Sequence, residues 1–192
     1  MKKVLKISCN TWKNASHDKR ELSVCRELGA EVAVLAKGEN QDRGRQENVD
    51  GYLVYRFTTK PLNTISIVNK VVSLVLWAKF VKRISPDIIS GHDIDGLFIG
   101  WLANCITPKD KKAILVYDSH EFELERNVKR GKIQKKFIKI LEKFLMNRCA
   151  FSIMVNDEIA DEVQKIHKLK ERPIVVRNTP SLWNINEDIC LN

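Results

Sequence analysis

The chain has 192 residues, 44% of them hydrophobic and 30% charged, which suits one well-buried soluble domain and leaves too little for two ordinary ones. Its 33 Lys+Arg against 24 Asp+Glu give a formal net charge of +9, which invites nucleic acid, an anionic membrane or a phosphate-bearing substrate, or serves solubility alone. Five scattered cysteines with no CxxC pair argue against a disulfide framework or a zinc site, and MKKVLKISCNTWKN lacks the apolar core of a signal peptide, so a cytoplasmic protein is expected.

Residues 4–8 read as a short buried strand, followed by a polar loop to Ser16. A helix carried by Leu22, Cys25 and Leu28 comes next, and Gly29 ends it. Residues 31–36 (EVAVLA) form a second strand and residues 52–57 (YLVYRF) a third. Between them the polar run 37–51 is expected as a loop, the least ordered part of the chain. A long helix over 64–84 stops before Ser85-Pro86, because the residue before a proline disfavours helical geometry. This is also the most hydrophobic segment, but Asn69, Lys70, Ser73 and Lys79 interrupt it, so it is a poor membrane span.

Residues 87–90 (DIIS) give a fourth strand, a helix runs from Ile94 to Ile106, and residues 113–117 give a fifth strand. Ile133, Phe137, Ile140, Leu141, Phe144 and Leu145 share one face of the next helix, with lysines on the other, which places that apolar face against the sheet. Residues 151–155 form a sixth strand, 157–167 a helix and 173–176 a seventh strand. This alternation predicts a doubly wound, parallel α/β (Rossmann-like) sheet of about seven strands in the order 3-2-1-4-5-6-7.

Ligands of such sheets bind beyond the carboxyl ends of the strands, where the order reverses. Those ends carry Ser8-Cys9-Asn10, Gly91-His92-Asp93, Asp118-Ser119-His120-Glu121, Asn156-Asp157 and Arg177-Asn178. Two His–carboxylate units, His92-Asp93 and His120-Glu121, could position hydroxyl groups or supply acid–base chemistry near neutral pH. They could equally be helix caps and satisfied histidines. A metal site built from the same four residues is a weaker reading, since no HExxH spacing is present.

The first loop, 9-CNTWKNASHDKRE-21, contains no glycine, which argues against a GxGxxG dinucleotide site, and no P-loop occurs anywhere. The segment 129–148 holds eight Lys or Arg and one acid. It suits an anionic membrane surface, or simply a sheet-covering helix with a solvated basic face. Nucleic acid is not expected, because no aromatic residues interleave the lysines.

KVLKIS, ELGAEVAVLAKG, SPDIISGHDIDGLFIGWLAN, AILVYDSHEFE, the Asn156-Asp157-Glu158-Ile159 region and PIVVRNTP occur in one order. Together they make the chain resemble the N-terminal domain of the glycosyltransferase family 4 enzymes over residues 3 to 180. The resemblance implies one half of a GT-B fold, with residues 1–180 as the acceptor-side domain and 181–192 at the position of the interdomain linker. It implies sugar transfer from a nucleotide-sugar donor to an acceptor hydroxyl, with retention of configuration, in polysaccharide or glycolipid synthesis. No cofactor or metal is implied.

By the same resemblance His120 and Glu121 line the reaction centre, with His92, Asp93 and Asp118 on the acceptor. Asn10, Asp18 and Arg20 belong to the donor-side loop, and Asn178 is a hinge. Many family members carry Gly-Gly in that loop; this chain instead offers Asp18-Lys19-Arg20, similar to the Asp-x-Arg of nearer relatives. The family's second domain binds most of the sugar nucleotide and is not part of these 192 residues. The expectation is therefore half an enzyme, inactive alone, that binds a saccharide or lipid-linked acceptor and meets a nucleotide sugar only when a donor-binding half is supplied. The alternatives are a non-catalytic acceptor-side or membrane-docking subunit paired with a separate donor-binding chain, and a metal-dependent hydrolase.

Overall fold

The computed structural model describes residues 1–12, 16–39, 42–59, 66–119 and 131–177. Within them one sheet runs through β1 (Lys3–Ser8), β2 (Glu31–Lys37), β3 (Arg43–Val49), β4 (Tyr52–Phe57), β5 (Ile88–His92), β6 (Ile114–Ser119), β7 (Phe151–Met154) and β8 (Ile174–Val175). The helices are α1 (Ser16–Glu27), α2 (Ser66–Ile84), α3 (Asp93–Cys105), α4 (Lys132–Met146) and α5 (Asp157–His167), with a 3-10 turn at Lys109–Lys111. Strand order is β3-β4-β2-β1-β5-β6-β7-β8, and every pairing is parallel except β3 with β4.

Seven of these strands follow the expected order, and β3 corrects the expectation of a loop across residues 37–51. Its alternation is nearly all polar because it is an edge strand, so no apolar period marks it. The turn that makes it is nevertheless written in the sequence. Asp50-Gly51 joins β3 to β4 with φ of 51° and 80°, the double positive φ of a type I′ two-residue hairpin.

The strands are apolar on both faces, as a covered parallel sheet requires. Leu5, Ile7, Leu35, Ile89 and Leu97 belong to a core that extends to Trp77 of α2, Leu145 of α4 and Val163 of α5. Val4, Val32, Val34 and Val54 form the opposite core with Leu22 of α1 and Trp12. The chain therefore sends α1 to one face and the other helices to the second. The crevice between these two windings opens at the carboxyl ends of β1 and β5.

Two glycines fix how deep that crevice is. A Cβ on Gly91 would meet the Leu97 backbone nitrogen at 2.4 Å, and one on Gly96 would meet the Ile7 carbonyl oxygen at 2.6 Å. Their absence of side chains seats the start of α3 directly on β1 and β5, with no linker between His92 and the helix.

Helix α4 departs from expectation in its rotation. Its one acid, Glu142, is buried and turned inward. Tyr117 Oη donates to Glu142 Oε1 at 2.9 Å, and His167 Nε2 lies 3.0 Å from Oε2, with all three side chains buried. That network holds Ile138, Leu141 and Leu145 against the core. It leaves Ile133 87%, Phe137 64% and Ile140 59% exposed, with Phe144 partly so. Of the face expected to cover the sheet, Leu141 and Leu145 do so, whereas Ile133, Phe137, Ile140 and Phe144 face solvent.

Candidate functional site

The centre of the site is a residue the strand pattern hides. Lys6 lies in the middle of β1, fully buried, on the face covered by α1. Its ammonium is bonded to the Glu21 and Asp118 carboxylates, lies 3.5 Å from Asp18 Oδ1, and donates to Ser90 Oγ at 3.3 Å. Ser90 in turn donates to Glu21 Oε1 at 2.7 Å. Burial alone would lower the Lys6 pKa; the charges of Glu21, Asp118 and Asp18, with the Asp118 hydrogen bond, outweigh it and raise it above its ordinary value. The lysine stays charged.

Asp18 links this buried cluster to the rim. It sits in the first turn of α1, 1% exposed, and accepts from Trp12 Nε1 at 3.0 Å. Its other oxygen is 3.1 Å from His92 Nδ1. The far ring nitrogen, His92 Nε2, is 3.6 Å from Asp93 Oδ2. The imidazole thus has one carboxylate behind it and another at its front. Asp93 takes φ of 55°, an uncommon backbone for a non-glycine residue, where the strand turns abruptly into α3.

In front of His92 a cavity of about 210 Å³ is lined by Cys9, Asn10, His92, Asp93 and Asp95. Asn10 spends its side chain on the turn that shapes this wall. Its Oδ1 accepts from Ser8 Oγ at 2.8 Å and from the Trp12 amide at 2.9 Å, while its carbonyl accepts from the Lys37 amide. Burial, then the nearby Asp95 and Asp93, push the Cys9 thiol up to about 12, against a lowering by Lys70, so it is no nucleophile at neutral pH.

Burial pulls the His92 imidazole down, but the Asp18 hydrogen bond and the charges of Asp18 and Asp93 prevail and raise its pKa above the ordinary value. A raised histidine stabilises the fold fully below its unfolded value, near pH 6.5, and that contribution fades as pH rises through the folded one. In a histidine-resolved NMR titration, His92 is expected to titrate above about pH 6.5, and Asp18→Asn is expected to bring it down. A midpoint unmoved by that substitution would contradict the pairing.

Asp18, His92 and Asp118 bring a ligand atom each within 4.8 Å of one another, the spacing of a metal site. The negative charge they would offer a metal is already met by the Lys6 ammonium. Chemically the arrangement is a carboxylate–histidine pair backed by a buried cation, facing an open polar cavity. It suits holding a hydroxyl and taking its proton.

Among the sequence candidates, Asn10, His92 and Asp93 line this cavity, and Asp18 and Asp118 stand beneath it in the Lys6 cluster. Asp118 lies within β6, opposite His92 of β5, because that strand runs on to Ser119. Arg20 is half-buried on α1, and its carbonyl accepts from Ser23 Oγ. His120, Glu121 and Asn178 fall outside the described residues. Lys6, Glu21, Ser90 and Trp12 had no place among the candidates. A lysine inside the otherwise apolar run VLKI was the available signal, since a buried ammonium requires carboxylates.

The Glycosyltransferase Family 4 profile matches residues 22–179. No curated protein matches the sequence. Among solved structures, sucrose-phosphate synthase from Thermosynechococcus elongatus superposes with a TM-score of 0.64 at 12% identity, over 92% of this chain and 47% of that one. The catalytic domain of starch synthase IV from Arabidopsis thaliana, bound to ADP and acarbose, gives 0.54 at 11%, over 90% of this chain and 51% of its own. UDP-N-acetylglucosamine 2-epimerase from Rickettsia bellii gives 0.52 at 13%, over 86% and 42%. The chain therefore spans about half the length of these relatives. At such identities the likeness is one of fold, and the epimerase marks that this fold serves more than one reaction.

Proposed function

The chain belongs to Glycosyltransferase Family 4, and on that premise we propose that it forms the acceptor-side half of an enzyme moving a sugar from a nucleotide-sugar donor to an acceptor hydroxyl. The observation that carries this reading is the Asp18–His92–Asp93 relay opening onto the cavity between β1 and α3. A sugar hydroxyl in that cavity would meet an imidazole able to take its proton and carboxylates able to orient it. His120 and Glu121 follow Ser119 directly in the chain, and the family resemblance assigns them to the reaction centre. Retention of configuration, and a product in polysaccharide or glycolipid synthesis, belong to the same reading.

The described lining of the His92 cavity supplies carboxylates and an imidazole but no cation to hold a departing diphosphate. Transfer then needs a donor-binding half, joined or separate, with Asn178 at the passage between the two. The experiment is to mix the purified chain with nucleotide sugars, and separately to map an acceptor mimic, octyl β-glucoside, by amide shifts. The expected outcome is no turnover, with shifts centred on residues 9–10 and 92–95. Robust turnover by the chain alone would overturn the division of labour, and shifts confined elsewhere would overturn the acceptor site.

A second surface belongs to this reading. The exposed stripe Ile133, Phe137, Ile140 and Phe144 continues onto α3 through Trp101, whose ring stacks edge-on to Phe144 at 5.2 Å. Lys136, Lys139 and Lys143 run along its outer flank, and Glu142 is turned away into the core. An apolar stripe bordered by cations fits an anionic membrane, where a lipid-linked acceptor would be found. Two copies of the stripe would set lysine against lysine, which disfavours self-association. Among the described residues no helix is long and apolar enough to cross a membrane, so the contact would be peripheral.

A further inference from the structure

Next to the His92 cavity lies another, of about 260 Å³, between the ends of β1, β2 and β4 and the early turns of α2. The two share Cys9 and Asp95 in their linings, so they adjoin as two arms meeting at that wall. Their chemistry differs. The His92 arm is mostly polar, whereas the second arm has an apolar floor of Phe57, Leu74, Trp77 and Ile99 beside Thr58, Thr59 and Ser73. Phe57 and Trp77 meet edge to face at 5.5 Å, so the floor is a packed wall rather than a loose gap.

Over that floor stand two cations, Lys37 at the end of β2 and Lys70 on α2. Both are exposed, and neither has a carboxylate within 4 Å among the described residues. The opposite charge, Asp95, sits at the junction with the polar arm. Thr58 also lines the cavity, and its hydroxyl has no hydrogen-bond partner among the described residues. The field of Lys70 reaches the shared wall, where it opposes Asp93 and Asp95 at the Cys9 thiol.

Resting on the acceptor-side reading, we propose that this second arm binds the portion of the acceptor next to the reacting sugar, and that this portion combines an apolar group with an acidic one, a phosphate or a carboxylate. The apolar part displaces water from Phe57 and Trp77, the acid pairs with Lys37 and Lys70, and Asp95 accepts from a sugar hydroxyl at the bend. A neutral sugar alone would leave both cations unmatched and the apolar floor wet. The donor's diphosphate is the other source of an anion, but it needs no apolar wall beside its charge.

The test is calorimetric titration of the full chain, below micelle-forming concentrations, with octyl phosphate, octyl β-glucoside and inorganic pyrophosphate. Octyl phosphate is expected to bind about tenfold more tightly than either of the others. The double variant Lys37→Gln/Lys70→Gln is expected to abolish that advantage while leaving octyl β-glucoside binding in place. Lys136→Gln/Lys143→Gln, which removes two charges from α4 instead, is expected to preserve it. Octyl phosphate binding no better than the glucoside, an advantage that survives the Lys37/Lys70 change, or one lost with the α4 change would overturn the proposal. Pyrophosphate binding more tightly than octyl phosphate would also overturn it, by assigning the cations to the donor. The acceptor-side reading is judged separately: glucoside binding that disappears in Asp93→Asn supports it whatever the lysines do.

Discussion

Lys6→Met is expected to destabilise the fold by about 3–5 kcal/mol, a large part of the stability of a domain this size. Methionine fills nearly the same volume, so little of the loss would come from packing. It would come from charge. Asp18 and Asp118 are almost wholly buried and Glu21 largely so, and the substitution removes the ammonium that stands among all three. Buried like charges raise their own pKa values, and a carboxylate whose folded pKa is raised destabilises the fold progressively as pH climbs through the ordinary carboxylate range.

The Lys6→Met deficit should therefore be greatest at neutral pH and shrink on acidification, the reverse of ordinary acid denaturation. The parent's own lysine, with its folded pKa raised, keeps its contribution up to the ordinary lysine range, so the comparison at neutral pH is clean. Urea denaturation of parent and variant across pH measures it. Adding Asp118→Asn to Lys6→Met should recover part of the loss, since one buried charge is then removed. A Lys6→Met deficit independent of pH would mean that the cluster is held by packing rather than by charge.

That cluster also marks the boundary of what the chain discloses on inspection. The strand around Lys6 was legible, and so was the polar character of the strand ends at Asn10, His92 and Asp118, because both follow from local pattern. The partners of Lys6 were not. Glu21, Ser90 and Asp118 lie 15, 84 and 112 positions away, and only the sheet order brings them to one point. His92 was read with its neighbour Asp93, yet its closer carboxylate is Asp18, 74 positions earlier. Spacing along a chain reports nothing about such pairs.

The hairpin β3–β4 failed for a different reason. Edge strands carry no buried period, so residues 43–49 looked like loop, although Asp50-Gly51 announced the turn. For α4 the sequence holds two overlapping apolar stripes, one through Ile133, Phe137 and Ile140 and one through Ile138, Leu141 and Leu145. Periodicity cannot choose between them. The choice is made by Glu142, whose buried bonds to Tyr117 and His167 fix the helix about its axis.

This rotation carries the second large effect. If α4 lies on an anionic membrane, Lys136, Lys139 and Lys143 each contribute about 1 kcal/mol, and their joint change to glutamine should weaken partitioning roughly a hundredfold. Ile133, Phe137 and Ile140 should add an apolar share of about 1.5–3 kcal/mol for each side chain wholly withdrawn from water. Flotation with phosphatidylglycerol and phosphatidylcholine vesicles separates the two. The parent should float with mixed vesicles and not with phosphatidylcholine alone, the lysine variant should stay below in both, and added salt should release the parent. Phe137→Ser should lose binding without altering its salt dependence, because it removes area and no charge. A parent that ignores anionic vesicles, or that instead doubles its mass through the α4 stripe, would exclude the membrane as the occupant. Since these side chains are already exposed, such substitutions should leave the melting curve close to the parent's, which ties any loss of flotation to the surface itself.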